Sequence, residues 1–166
     1  MSINIIVCHD LNGAIGYKNK LLSHQSADLK RFKQLTQGHF VLMGSTTYKS
    51  IGKLLPNRHN IILSRNKKFH VPGAFIRHSI EDVIKEYQLN NNEQELFVIG
   101  GEEVYRQSIK YANKLYVTII DHEFDKADTF FPDINMKEWK LIENEKHHAD
   151  ENNDYDYRFM TFIRNN

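Results

Sequence analysis

The chain has 166 residues, 40% of them hydrophobic and 26% charged, and a formal net charge of +1 at pH 7. This composition is typical of a globular domain, and the weak charge argues against proteins that bind nucleic acids or acidic membranes. A single cysteine, the lack of any apolar run of about 18 residues and an N-terminus without signal-peptide features predict one cytoplasmic domain spanning residues 1–166.

Most of the chain alternates short apolar segments with amphipathic ones. The predicted strands are 3–8, 40–43, 60–64, 74–76, 96–99 and 115–120. The predicted helices are 27–35, 46–51, 80–89 and 102–111, with Ser26 and Ser79 as N-caps of the first and third. Several strands are continuously apolar, as are parallel strands buried on both faces, so this order predicts an α/β sheet with right-handed crossovers.

Two segments interrupt this alternation. Residues 139–145 and 155–163 flank the polar stretch KHHADENND and predict an antiparallel hairpin that closes one edge of the sheet. Between the first strand and the first helix, the polar stretch HDLNGAIGYKNK contains two glycines. A loop of this length beside the carboxyl ends of strands predicts a lid over a ligand site.

Asp28 in the first predicted helix edges the apolar stripe formed by Leu29, Phe32 and Leu35. One interpretation is structural, because an acid in a first helical turn complements the helix macrodipole and can accept hydrogen bonds from spare backbone N–H groups. The other is chemical, because a carboxyl group in an apolar pocket takes up a proton more readily and serves acid chemistry. The helix by itself leaves both interpretations open.

Two predicted strands each lead through glycine into a helix, and we call each of these strand–glycine–helix junctions a glycine corner. In GSTTYKS, Tyr48 stands where a phosphate-binding P-loop requires glycine, which argues against a nucleotide kinase, although the corner still suits an anion. In FVIGGEEVY, Gly100 and Gly101 either form a plain tight turn or let the backbone approach a ligand. Two such corners in one sheet favour a dinucleotide whose pyrophosphate lies between them.

Cationic side chains lie next to another predicted strand. In LSRNKK, Ser64 and Arg65 either belong to a solvated turn or hold a phosphate monoester at the same end of the sheet. Arg58 is either a surface residue or a bidentate partner for a carboxylate. The adjacent His147 and His148 face opposite sides of a strand, and no other histidine spacing suits a metal, so no metal site is predicted.

The motifs DLNGAIG, ADLKRFKQLTQGH, LPNRHNIILSR, FVIGGEEVY, LYVTIID and ADTFFPD resemble those of the dihydrofolate reductase family in order and spacing, over nearly the whole chain. The resemblance implies an α/β fold with an eight-stranded mixed sheet, mostly parallel with a C-terminal antiparallel hairpin, and four helices. It also implies a monomer that uses NADPH to reduce 7,8-dihydrofolate, by hydride transfer to C6 and protonation at N5, and so supplies one-carbon and thymidylate metabolism. Antifolate inhibitors would bind in the same site.

The resemblance also implies a role for individual residues. The catalytic residues would be Asp28, Thr118 and Tyr105. The substrate would contact Ile6, Leu29, Phe32, Ile51, Leu55, Arg58 and Ile99. The cofactor would contact Cys8, Ile15, Gly16, Gly44, Ser45, Thr46, Thr47, Leu63, Ser64, Arg65, Gly100, Gly101, Glu102 and Val104.

Several of these implied roles are specific. Asp28 would grip the pterin and promote protonation at N5, with Thr118 hydrogen-bonded to it, while Arg58 would hold the glutamate carboxylate of the substrate. The carbonyl groups of the substrate residues at the ends of two strands, Ile6 and Ile99, would face the pterin. The glycine pair would be joined by a cis peptide, and Ser64 and Arg65 would hold the 2′-phosphate of the cofactor.

The chain departs from the family pattern in two places. The family has a tryptophan and two prolines before the acid, whereas residues 22–26 contain neither, and Ser23 occupies the tryptophan position. We therefore expect a wetter, more mobile lid hinge, slower turnover and weaker binding of diaminopyrimidine inhibitors. Ser45 replaces an arginine that pairs with the 2′-phosphate, so we expect a reduced preference for NADPH over NADH.

Two alternatives remain open from the sequence. One is a reductase of the same fold that acts on a pyrimidine of the riboflavin pathway, although such a substrate has no glutamate tail for Arg58. The other is a noncatalytic pterin- or nucleotide-binding protein that kept the pocket, and the changes at Ser23 and Ser45 make this alternative worth testing.

Overall fold

Ten strands and four helices make up the computed structural model of the protein, which describes residues 2–90 and 93–166. The strands are β1 (Ile3–His9), β2 (Ala14–Gly16), β3 (Phe40–Gly44), β4 (His59–Leu63), β5 (Phe75–Arg77), β6 (Leu96–Gly100), β7 (Lys114–Ile120), β8 (Thr129–Phe130), β9 (Trp139–His147) and β10 (Tyr157–Arg164). The helices are α1 (Ser26–Thr36), α2 (Ser45–Ile51), α3 (Ile80–Leu89) and α4 (Glu102–Ser108). The predicted helix 102–111 ends early, because its last turn is the separate 3₁₀ helix Ile109–Tyr111. No helix among the described residues is long and apolar enough to cross a bilayer.

Eight of the strands form one sheet in the order β5-β4-β3-β6-β1-β7-β10-β9. Every neighbouring pair from β5 across to β7 is parallel, and β10 runs antiparallel to both β7 and β9. The predicted mixed sheet with a C-terminal hairpin is therefore confirmed, and so is each predicted strand, with ends that differ by one or two residues.

The sheet buries alternate residues of its central strands on opposite faces. Ile5 and Val98 belong to the apolar cluster on one face, whereas Ile6 and Phe97 belong to the cluster on the other. Because neighbouring residues of a strand point to opposite sides, both must be apolar when both faces are covered. This double burial explains why the central strands are continuously apolar in the sequence.

A second, two-stranded sheet was not expected from the sequence. β2 and β8 pair in antiparallel fashion, and Asp128 strengthens the junction, since its amide donates to the Gly16 carbonyl at 3.0 Å and its Oδ2 accepts from the Lys18 amide at 2.9 Å. The predicted lid loop is therefore partly a strand. Segments of two and three residues are too short to show an alternating pattern, so only their tertiary pairing reveals them.

Helix α1 begins at Ser26, so the prediction that Ser26 is its N-cap was wrong. Gln25 precedes the helix and makes no side-chain capping bond. The exposed donors of the first turn are instead satisfied by the loop between β9 and β10: Ala27 N donates to Asn153 Oδ1 at 2.9 Å, and Ser26 N donates to Asn152 O at 3.1 Å. In contrast, the predicted cap of α3 is confirmed, because Ser79 Oγ accepts from Asp82 N at 3.1 Å.

The loop between β9 and β10 also contacts residues 22–26, the segment that lacks the family's prolines. His24 and Asp154 exchange two hydrogen bonds, of 2.8 and 3.0 Å. Gln25 and Tyr155 exchange two more, of 3.1 and 3.0 Å, between the glutamine amide and the tyrosine backbone. Contacts with the hairpin loop therefore restrain a hinge that proline would otherwise stiffen, and the expected mobility of this hinge stays a prediction.

Replacing Asn153 with alanine should lower the free energy of unfolding by about 1–2 kcal/mol, because the buried side chain caps α1 and also donates to Asp150. Urea unfolding of the two proteins measures this difference. Asn152→Ala is the matched control, since Asn152 is exposed and its hydrogen bond to α1 uses the backbone carbonyl, which alanine keeps. Equal losses in the two variants would contradict the capping role.

Candidate active site

A cavity of about 1250 Å³ lies along the carboxyl ends of β1, β3, β4 and β6. All of the predicted site residues line this cavity, with the exceptions of Thr118 and Gly100. Thr118 lies behind Asp28 and touches it, and Gly100 is covered by the ring of Tyr105, which a Cβ at this position would approach to 3.2 Å. The structure thus brings together residues from many segments of the chain at one edge of the sheet, where open α/β sheets bind ligands.

Asp28 lies in the first turn of α1 with its carboxyl group facing β1 and β7. Its Oδ1 accepts a hydrogen bond of 2.6 Å from Thr118 Oγ1, and Cys8 of β1 is a neighbour of the carboxyl group. Burial raises the pKa of Asp28, although the hydrogen bond from Thr118, the positive charge of Arg31 and the neighbouring Cys8 thiol oppose the rise. Because backbone and side-chain acceptors of the hairpin loop satisfy the helix end, Asp28 is not needed as a cap, and the chemical interpretation is favoured.

The thiol of Cys8, next to this carboxyl group, is neutral. Burial and the neighbouring Asp28 raise the pKa of Cys8, so the thiol keeps its proton at neutral pH. This agrees with the expectation that Cys8 is not a nucleophile, since the thiolate is the reactive form of cysteine.

Tyr105 on α4 is buried beside the same carboxyl group. Its hydroxyl donates to the Ile6 carbonyl at 2.8 Å, and its ring packs edge-on against Phe131. Burial raises the pKa of Tyr105, so its phenol stays protonated. The resemblance implies that the Ile6 carbonyl faces a pterin. This carbonyl already accepts one hydrogen bond from Tyr105 and keeps one lone pair for a ligand.

Arg58 precedes β4 at another part of the cavity wall. Its Nε donates to Pro56 O at 3.0 Å and its Nη1 donates to Thr36 Oγ1 at 3.1 Å, and within residues 2–90 and 93–166 it makes no salt bridge. Two bonds thus orient the guanidinium while its other N–H groups stay available for a carboxylate.

Asn60 holds part of the cavity wall in place, and the sequence analysis did not identify it. It is 3% exposed, its Oδ1 accepts from Leu55 N at 3.0 Å, and its Nδ2 donates to the carbonyls of Leu55 and Arg58 at 2.9 and 3.1 Å. These bonds shape the loop that carries both of these predicted substrate residues. The available signal was a polar residue within an otherwise apolar strand, NIIL.

The two glycine corners touch each other. A Cβ added at Gly101 would lie 3.3 Å from Thr47 Oγ1, and one added at Gly44 would lie 3.2 Å from the Val104 side chain. The peptide between the glycine pair is cis, as the resemblance implies. Larger residues would fill the space between the corners, so the glycines leave room there for a ligand to approach the backbone.

Another polar part of the cavity wall is formed by the residues that follow β4. Ser64 is buried and its Oγ accepts from Asn66 N at 3.2 Å, whereas Arg65 is exposed. His78, which the sequence analysis missed, also lines this end of the cavity, with its Nδ1 2.8 Å from the Ser64 carbonyl. Ser45 lines the same cavity from α2. A hydroxyl, a guanidinium and an imidazole together suit a phosphate monoester.

A second cavity, of about 50 Å³, is lined by both Asp28 and Ser23. The Ser23 hydroxyl is buried and has no hydrogen-bond partner in the part of the chain that the structure describes. The serine thus leaves a space beside a carboxyl group and an unsatisfied hydroxyl, which suits a bound water. This geometry agrees with a wetter site, while the expected effects on turnover and on inhibitor binding stay predictions.

Comparison with known proteins extends these observations. Residues 2–164 match the family model described as dihydrofolate reductase. The chain is 42% identical to the dihydrofolate reductase of Staphylococcus haemolyticus over 164 residues, which cover 99% of this chain and 96% of that protein. It is 38% identical to the dihydrofolate reductase of Staphylococcus aureus, with 99% of both chains covered. A solved structure, dihydrofolate reductase from Enterococcus faecalis complexed with NADP(H) and RAB-propyl, matches with a TM-score of 0.92 and 31% identity, over 99% of this chain and 97% of that one.

Proposed function

The chain belongs to the dihydrofolate reductase family, and from this premise we propose that it reduces 7,8-dihydrofolate to 5,6,7,8-tetrahydrofolate with NADPH. The observation that carries the proposal is a carboxyl group of raised pKa, Asp28, in the wall of a cavity that is also lined by a paired glycine corner and by Arg58, whose guanidinium keeps N–H groups for a carboxylate. NADPH supplies the hydride in this reaction, and the protein aligns the reactants and excludes water.

On the substrate side, Asp28 accepts hydrogen bonds from the ring N–H and amino groups of the pterin. Its negative charge raises the affinity of the bound ring for a proton and so promotes protonation at N5. Thr118 holds one carboxyl oxygen, at 2.6 Å, and thereby orients the other toward the cavity. Apolar side chains enclose the pterin and benzoyl rings, and these are Leu29, Phe32, Ile51 and Leu55.

On the cofactor side, the residues present fit a pyrophosphate and a 2′-phosphate. The close approach of the corners at Gly44 and Gly101 supports a pyrophosphate, because any larger residue would occupy its space. Ser64 and Arg65 would hold the 2′-phosphate. The buried Tyr105 would lie beside the path of the hydride, as a neutral phenol bonded to the Ile6 carbonyl.

The state and setting of the protein are further parts of the proposal. We propose one domain over residues 1–166, a monomer, and a cytoplasmic enzyme that supplies one-carbon and thymidylate metabolism and binds antifolates weakly. Size-exclusion chromatography with light scattering tests the monomer, and titration of a diaminopyrimidine inhibitor tests the binding.

One assay separates the proposal from its two alternatives. Oxidation of NADPH, followed by its absorbance, is expected on addition of dihydrofolate and not on addition of a riboflavin-pathway pyrimidine. The position of Arg58, with donors free for a carboxylate, supports the substrate that has a glutamate tail. Binding of NADPH without any oxidation would favour the noncatalytic alternative.

Replacing Ser45 with arginine should raise kcat/KM for NADPH by about tenfold. A charge-assisted bond to the 2′-phosphate contributes roughly 1.5–3 kcal/mol, and solvent screening removes part of this free energy. The ratio of kcat/KM for NADPH to that for NADH measures the change. NADH is the internal control, since it lacks this phosphate and its kcat/KM should stay constant. An equal rise with both cofactors would argue that Ser45 does not face the 2′-phosphate.

A further inference from the structure

Arg31 lies one turn after Asp28 on α1, between the helix and the sheet. Its guanidinium carbon is 4.4 Å from the centre of the Phe159 ring and 5.8 Å from that of Tyr116. Its Nη2 donates to Thr161 Oγ1 at 3.3 Å. Aromatic faces attract a cation, and this contact with a hydroxyl fixes its direction, so the guanidinium is held in a half-buried position.

The Arg31 guanidinium is not paired directly with a carboxylate within residues 2–90 and 93–166. Arg31 makes no salt bridge with another residue in the described part of the chain. Thr161 Oγ1, which accepts from Arg31, donates in turn to Glu143 Oε2 at 3.3 Å, so a hydroxyl separates the guanidinium from that carboxylate. Burial lowers the pKa of Arg31, and the charge of Asp28 opposes this effect more than any other group.

The groups that face the two side chains come from five elements. Around Asp28 are Cys8 of β1, Thr118 of β7, Tyr105 of α4 and Tyr157 of β10. Around Arg31 are Tyr116 of β7 and Glu143 and Glu145 of β9. The thiol and phenols are neutral near pH 7, because burial raises the pKa of each. Arg31 also lies three residues after Asp28, on the same face of α1, so among the described residues it is the cation that acts on Asp28, and the glutamates only weaken its effect.

We propose that Arg31 is a positioning residue that acts through Asp28: its charge favours the ionised carboxylate and sets the alkaline limit of the reduction. The inference rests on the proposed function, in which Asp28 promotes protonation of the substrate. A positive charge disfavours proton uptake by the carboxyl group near it, and through that group it affects protonation of the bound pterin. Removal of the charge therefore raises the pH at which the rate declines.

The first test is a titration that does not depend on activity. Carbon NMR follows the Asp28 carboxyl group, assigned by its loss in Asp28→Asn, in the parent, Arg31→Met, Arg31→Lys and Lys30→Met. We expect Arg31→Met to raise the titration midpoint by roughly 0.5–1 pH unit, because the site is partly screened by solvent. Arg31→Lys should restore most of the parent value. Lys30 is the matched control, as an exposed cation of the same helix whose charge acts on Asp150.

The second test is the pH dependence of single-turnover reduction in the same four proteins. In Arg31→Met, the pH at which the rate declines should rise by about the shift in the Asp28 midpoint seen by NMR. Arg31→Lys and Lys30→Met should keep the pH profile of the parent. An unchanged Asp28 midpoint in Arg31→Met, or an equal shift in Lys30→Met, would overturn the role of Arg31. A shifted Asp28 midpoint with an unmoved rate profile would leave the charge coupling intact and refute the proposed function of Asp28.

Discussion

The Asp28→Asn variant should lose roughly 10²–10⁴-fold in kcat/KM for dihydrofolate at pH 7, the usual contribution of a positioned acid–base group. Asparagine has nearly the same shape, but its amide has no charge to attract a proton toward N5. The loss should be largest at neutral pH and smaller in acid, where solvent protonates the substrate. Stopped-flow measurement of NADPH oxidation from acid to alkaline pH gives the profile, and a variant that matches the parent across pH would contradict the role.

Thermal unfolding of the same variant provides the control for folding. The folded-state pKa of Asp28 is raised by burial, so the group favours folding fully below its unfolded pKa and loses this contribution as the pH rises through the folded pKa. At neutral pH the ionised carboxylate is therefore destabilising. Asp28→Asn should unfold at a higher temperature than the parent at pH 7, so a lower melting temperature would show that lost activity reflects damage to the fold.

The Arg58→Met variant should raise KM for dihydrofolate by roughly 10–100-fold while kcat changes little, since a charge-assisted bond contributes about 1.5–3 kcal/mol. The methionine keeps the apolar stem, and the lost guanidinium takes no part in the chemistry. Thr36 loses one hydrogen-bond donor, although its own hydroxyl still donates to Phe32 O at 2.7 Å, so the fold should survive. Steady-state kinetics with varied dihydrofolate measures the effect.

A 7,8-dihydropterin without the glutamate tail is the matched substrate for this comparison. Parent and Arg58→Met should reduce it with similar kcat/KM, because it has no carboxylate for the guanidinium. A comparable loss with both substrates would mean that Arg58 only shapes the loop. A KM for dihydrofolate that does not change would return the riboflavin-pathway alternative to consideration.

Elements that depend on local sequence were predicted well. The strands β1, β3, β4, β6 and β7 are short apolar runs, and their burial on both faces requires this composition whatever surrounds them. The N-cap of α3 at Ser79 was predicted for the same reason, since its partner Asp82 is three residues away. The predicted site residues, nearly all of which line the cavity, came from several motifs that resemble one family in the same order.

Features that join distant segments were missed or misassigned. The cap of α1 was assigned to Ser26, but it comes from Asn153, 126 residues from its donor. Asn60 could be noticed only as a polar residue in an apolar strand, and its bonds to the Arg58 loop appear in the structure alone. The aromatic neighbours of Arg31 belong to β10 and β7, so its setting also appears in the structure alone.

The sequence by itself determined the α/β sheet and the set of side chains at its edge, because burial patterns and family motifs consist of residues that are close together in the chain. Only the tertiary structure decided the chemical character of Asp28. Its pKa depends on burial against other elements and on partners that they supply, such as Thr118, which is 90 residues away. Proton affinity depends on what surrounds a carboxyl group in space, and no pattern of neighbouring residues encodes those surroundings.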